Sequence, residues 1–123
     1  EKLSWEKFRG EVLGPTDPAE APVGSIRRSI LDSYKELDLT SVPNKGDNGV
    51  HASASPFEGL AEKTNWLNKA VGDDDFGKAL IEAGLSLETI KEWSVDPQVV
   101  MPEGGKGSVF DALEDMDAED CLK

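Results

Sequence analysis

Positive charge is scarce in this chain, and histidine and cysteine are scarcer still. Thirteen Lys and Arg face 25 Asp and Glu, for a net charge of −12. Proteins that grip a nucleic-acid backbone place cations in excess along one face, so no nucleic-acid partner is expected. A few local arginines can still build a nucleotide pocket within an acidic chain. The single cysteine, Cys121, allows no internal disulfide and points to a reducing compartment. No apolar run nears the roughly 18 residues that a membrane span needs. No charged-then-apolar leader opens the sequence either, so the expected address is cytoplasmic, with no membrane partner. One His without a Cys partner makes no structural zinc site. The acidic run from Gly72 to Asp75 lacks the alternation and distant glutamate of a calcium loop, so no protein-held metal is expected. No G-x-S-x-G surrounds Ser53 or Ser55, which sets aside a hydrolase nucleophile. With 123 residues, 37% apolar and only 7% aromatic, the chain suffices for one core and not two.

What is present reads as helices. In "SWEKFRGEVLG", Ser4 caps a short helix, Trp5, Phe8, Val12 and Leu13 share a stripe, and Gly14 with Pro15 stops it. "GPTDPAEAPVGS" is a loop stiffened by three prolines. A second helix starts after Ser25, with Ile26, Ile30, Tyr34 and Leu37 at helical spacing. Ser55, Pro56 and Glu58 form a capping serine, a proline at the first helical position and a glutamate reaching back. That helix carries Phe57, Leu60, Ala61, Leu67 and Val71 and is expected to end at Gly72. Two more short helices follow, one capped by Asp75 or a neighbour and one by Ser86. Beyond Pro97 the reading is a linker, "MPEGGKGS", and at most an acidic terminal helix. No run of five or more residues alternates as a strand should, and no repeat is present.

The only histidine, His51, lies in "GDNGVHASASPFEGLAE", within a segment that reads as a strand edge or a turn. Two readings are open. A lone histidine in a polar loop is commonly solvated. Yet Gly49 and Ala52 leave the ring accessible, Ser53 and Ser55 supply hydroxyls, and a helix start directs N–H groups and partial positive charge toward the loop. Glu62 stands about two turns into that helix, where a carboxylate can fix an imidazole tautomer. An oriented imidazole beside an anion-favouring helix start is what phosphoryl transfer through a phosphohistidine requires.

Two segments, "GPTDPAEAPVGSIR" (Gly14 to Arg27) and "NGVHASAS" (Asn48 to Ser55), together resemble the signatures of the nucleoside diphosphate kinases. The resemblance implies an α+β, ferredoxin-like fold, with this chain holding mainly the helical C-terminal half. It implies a domain over residues 1–97, an insertion at about 28–47, and a linker with an acidic extension over 98–123. It further implies that His51 takes the γ-phosphoryl group of a nucleoside triphosphate and passes it to a diphosphate. Glu62 would orient the ring with support from Ser53, Thr16 and Arg27 would hold phosphates, and Asn48 would meet the ribose. Mg²⁺ would arrive with the nucleotide. The implied partners are nucleoside tri- and diphosphates, a companion chain or segment supplying the N-terminal half, and further copies in a homo-oligomer.

The sequence departs from the family pattern at several points. Ala54 stands where the family has Asp. An upstream phosphate-binding arginine belongs six residues before Thr16; Gly10 occupies that place, and Arg9 is one residue off, so a one-residue bulge in the helix would be needed to bring Arg9 into position. Twenty residues separate Arg27 from Asn48, more than the family spacing. The resemblance covers residues 1 to about 70. Two other readings therefore stand beside the enzyme: a non-catalytic binding or assembly module of the same fold, and a small acidic helical interaction protein.

Overall fold

A computed structural model describes residues 3–123 and divides the chain into two compact units, Glu1–Ala52 and Ser53–Lys123. The architecture is α+β, with short helices and one small antiparallel sheet.

In the first unit, α1 (Trp5–Lys7) starts where the Ser4 hydroxyl accepts the Lys7 N–H at 3.3 Å. It runs directly into a π-helical segment, Phe8–Leu13. A π-turn holds one more residue than an α-turn, closing its hydrogen bonds five residues apart. Gly14 ends the segment at φ 93°, in the left-handed region. A Cβ there would lie 2.8 Å from both the Ala21 Cβ and the Ser25 Oγ, so only glycine allows this approach. Leu13, Pro18, Ala21 and Ser25 are buried around it.

Helix α2 (Ile26–Asp32) is capped by Ser25, as expected, but stops a turn early. Tyr34 and Leu37 fall in the turns that follow, and Leu37 is exposed. A helix this short depends on a packed face to persist. Of the stripe meant to extend it, Ile30 and Tyr34 are half-buried while Ile26 and Leu37 are exposed.

The second unit holds the hydrophobic core. Helix α3 (Pro56–Leu67) begins as its sequence dictates, with the buried Ser55 hydroxyl accepting the Glu58 N–H at 3.2 Å and Pro56 in the first turn. It ends five residues before Gly72, because Asn68 adopts φ 52° and closes the helix in place of a glycine. Val71 then belongs to a separate 3₁₀ turn, Val71–Asp73, ahead of α4 (Asp75–Glu82). Helix α5 (Leu87–Trp93) starts under Ser86. Phe57, Leu60, Val71, Leu80, Ile90 and Val109 form the core, and the Phe57 ring meets Trp93 and Phe110 edge-on at 6.5 and 6.2 Å.

Asp74, a neighbour of the expected Asp75, caps α4. One oxygen accepts from the Phe76 and Gly77 N–H groups at 3.0 and 3.3 Å, and the other meets Lys63 at 2.9 Å and Lys69 at 3.6 Å. Burial alone would raise this carboxyl, but the Lys63 and backbone hydrogen bonds overcome it and hold Asp74 below its usual value near 3.8.

The segment read as a linker and tail is structured. Strands β1 (Gln98–Val100) and β2 (Lys106–Ser108) form an antiparallel hairpin, pairing Gln98 with Ser108 and Val100 with Lys106. Helices α6 (Val109–Ala112) and α7 (Ala118–Cys121) follow. Two three-residue strands are marginal alone. Here Val99 and Val109 insert into the core, and the Asp96 carboxylate accepts both the Ser108 hydroxyl and the Phe110 N–H, at 2.6 and 2.9 Å. Val99, Val109, Phe110 and Leu113 thus belong to or pack on the second unit's core, whereas no residue of α7 is buried. Three-residue strands and four-residue helices carry too little periodicity to be read in advance.

Candidate functional site

Five of the seven sequence-derived site residues fall in the first unit: Thr16, Asn48 and His51 on two loops that side chains tie together, Arg9 in the π-helical segment and Arg27 on α2. Arg27 does the first tying. One guanidinium nitrogen donates to the Gly14 carbonyl at 2.8 Å and another to the Val50 carbonyl at 3.0 Å. These bonds hold the residue just before His51 against the end of the π-helix. Asn48 does the second, its Nδ2 donating to the Thr16 carbonyl at 3.1 Å. A third link is ionic, between Lys45 and Asp17 at 4.0 Å. The pairs run in opposite directions along the chain (14 with 50, 16 with 48, 17 with 45), so residues 14–17 and 44–50 lie side by side, antiparallel.

Local sequence explains why both loops hold still. Asp17 accepts the Ala19 N–H at 3.0 Å and so shapes the "TDPA" turn. Asn44 and Asp47 exchange two backbone hydrogen bonds, and the Asn44 side chain accepts the Gly46 and Asp47 N–H groups at 2.9 and 3.2 Å. That is an Asx-type turn, which Asn-x-Gly sequences favour.

The electrostatics are unusual for so acidic a chain. Arg27 holds its proton less tightly than usual, first because it is desolvated and second because the charge of Arg9 acts on it. Two like charges have been brought together, and the Arg27 Nε is buried with no hydrogen-bond partner among the described residues. Arg9 lies within the π-helical segment, whose turns hold one residue more than an α-turn. Thr16 and His51 are exposed to solvent beside these charges' loops.

Ser53 and Glu62 belong to the second unit, and the Ser53 hydroxyl donates to the Glu62 carboxylate. The half-buried Glu62 borders an open groove of about 710 Å³ that also touches Trp66 and Lys91. The turn ahead of α3 is firmly held in spite of Ala54. The Glu58 carboxylate accepts the Ala54 N–H, and the Ala54 carbonyl accepts the Asp115 N–H at 2.9 Å.

The structure brings together Arg9, Arg27, Thr16 and Asn48 around the strand of chain leading to His51, and separately joins Ser53 to Glu62. Two participants were missed in the sequence. Lys45 lay inside what reads as an insertion, and Asp17 drew no reading of its own within the proline-stiffened loop. The signal for Lys45 was its place in an Asn-Lys-Gly-Asp turn, which presents its second residue outward. Among the described residues, no three His, Cys, Asp or Glu side chains converge and no helix is long and apolar enough to cross a membrane. Compared with known proteins, the chain matches no family model, no curated protein and no solved structure.

Proposed function

We propose that the chain is the C-terminal portion of a ferredoxin-like nucleoside diphosphate kinase domain that carries a phosphoryl group on His51. The imidazole attacks the γ-phosphorus of a magnesium-bound nucleoside triphosphate. A nitrogen–phosphorus bond forms, the bond to the bridging oxygen breaks, and the diphosphate leaves with that electron pair. A second diphosphate then attacks the phosphohistidine and reverses the step, giving double-displacement kinetics.

One observation carries this reading: Arg27 fastens the Gly14 and Val50 carbonyls while sharing its field with Arg9, immediately before the sole histidine. Clustered arginine charge beside an exposed imidazole suits a phosphoryl donor, because positive charge stabilises the equatorial oxygens as the transfer proceeds. In this reading Arg27 acts as clamp and charge together. Arg9 supplies the second charge, Thr16 meets a phosphate, and Asn48 steadies the loop that faces the ribose. Glu62, held by Ser53, orients the imidazole; the link to His51 comes from the spacing of the motif along the chain. The domain's first half is supplied by a companion segment or chain, and copies associate into a homo-oligomer in the cytoplasm.

The test is incubation with γ-labelled ATP and Mg²⁺, with the N-terminal half of a related kinase domain supplied in a parallel sample. The proposal expects label that survives alkali, is lost in acid, and is absent from His51→Ala. A Glu62→Gln variant should label about 10²-fold more slowly, the usual cost of a misplaced reactive group. No label in either sample overturns the proposal.

A further inference from the structure

We infer that the second unit carries an apolar groove that receives a basic amphipathic helix of a partner protein. The inference is independent of the phosphotransfer reading, because neither Ser53 nor Glu62 lines the groove.

A cavity of about 690 Å³ opens between α4, α5, the turn after β1 and the chain from α6 onward. That volume falls within the roughly 300–1,000 Å³ of ligand-holding clefts. Its floor is the core itself, since Phe57, Leu80 and Val109 line it and are buried. Its lip is apolar too, but open to water: Val100 is 74% exposed, and Met116 and Leu122 are 37% exposed. Both methionines of the chain, Met101 and Met116, line this one cavity. Methionine is unbranched and polarizable, so it lets a groove fit side chains of differing shape. Apolar side chains left in water around a ready cavity mark a binding surface.

Charge around the groove selects the occupant. Residues 109–123 hold six acidic residues and one basic. Five of the six (Asp111, Glu114, Asp115, Glu119 and Asp120) are exposed. The basic residue, Lys123, pairs with Asp120 at 2.8 Å, so its charge is already neutralised. Glu103, also exposed, lines the groove directly. An occupant must therefore present positive charge beside an apolar face. An amphipathic helix does both, with apolar anchors at i, i+3, i+4 and i+7 and lysines flanking them. A single-headed amphiphile has one charge for acids that are spread along α6, α7 and the turn between them. A second copy of this chain, at net charge −12, brings like charge to the same place.

The sole cysteine supplies the readout, because Cys121 lines the groove and is half-buried. The experiment times alkylation of Cys121 by a maleimide in the full chain, alone and with each of two synthetic helical peptides. Both peptides carry the same leucine stripe; one has lysine on its polar face and the other glutamate. Calorimetric titration gives the affinity of each. The lysine peptide should slow alkylation about tenfold and bind about tenfold more tightly than the glutamate peptide. Val100→Gln and Met116→Gln alter exposed lip residues outside the core cluster. Each should weaken binding of the lysine peptide about tenfold. Glu103→Lys should weaken it by a smaller factor, as loss of an exposed charge contact does. Binding that leaves Cys121 unprotected, or that ignores both lip substitutions, is adsorption to an acidic surface and overturns the inference. Equal binding of the glutamate peptide overturns it as well. So does alkylation that slows with protein concentration in the absence of peptide, which assigns the groove to a second copy of the chain.

Discussion

The two units are held together by different physics. Residues 53–123 carry six basic and sixteen acidic residues, yet this is the unit with the apolar core of Phe57, Leu60, Val71, Leu80, Ile90 and Val109. Residues 1–52 carry seven basic and nine acidic residues and all three arginines, and their buried set is small: Leu13, Pro18, Ala21, Gly14 and Ser25. The second unit is ordered by burial, the first by hydrogen bonds between loops. Burial is non-directional and fixes a scaffold. Directional bonds from Arg27 and Asn48 fix the spacing of two loops, which is what a ligand reads. Chemistry is therefore expected in the unit with the weaker core.

That contrast is broken most severely at Phe57. Phe57→Ala removes a ring that is 2% exposed and meets two others, so it should cost about 3–5 kcal/mol. Denaturant unfolding followed by Trp93 fluorescence measures it. A loss under 1 kcal/mol would mean that burial does not hold the second unit.

Acid probes the same unit through a charge. Asp74 lies below its unfolded value near 3.8, so its contribution is fully present above about pH 4. That contribution is lost as pH falls through the lower folded value. Asp74→Asn should cost about 2–3 kcal/mol at pH 7, from the lost charge in its hydrogen bonds to Lys63 and the backbone. It should also flatten the acid limb of the stability curve below about pH 4, as read by unfolding across pH. An acid limb identical to wild type would remove Asp74 from the account.

In the first unit the matching change is smaller and local. Arg27→Gln gives up the bonds to the Gly14 and Val50 carbonyls and should cost about 1–2 kcal/mol. Hydrogen exchange should quicken around residues 14–17 and 44–51 while α3 to α5 keep their protection. Global unfolding by this substitution would contradict the contrast between the units.

The sequence made some of this plain and hid the rest for physical reasons. Ser4, Ser25, Ser55 and Ser86 each cap the helix assigned to them, because capping needs only residues in immediate succession. The end of α3 was misplaced because Asn68 can enter the left-handed region and compete with a glycine four residues on. The hairpin could not be read, since Val99 is held by contacts far along the chain, while the expected acidic terminal helix is present as two short pieces, α6 and α7. At the site, the motif pointed to Arg27 and Asn48, but their bonds to backbone carbonyls were hidden: a carbonyl carries no sequence signature. Arg9 stands one residue from the motif position and lies in a π-helical segment that the sequence did not announce.

The most direct measurement is phosphorus NMR of the protein after brief exposure to ATP and Mg²⁺, with the excess nucleotide removed. The account predicts one phosphoramidate resonance that disappears on adding a nucleoside diphosphate and never forms in His51→Gln. A resonance of phosphoserine type, or one that is unchanged in His51→Gln, would contradict it.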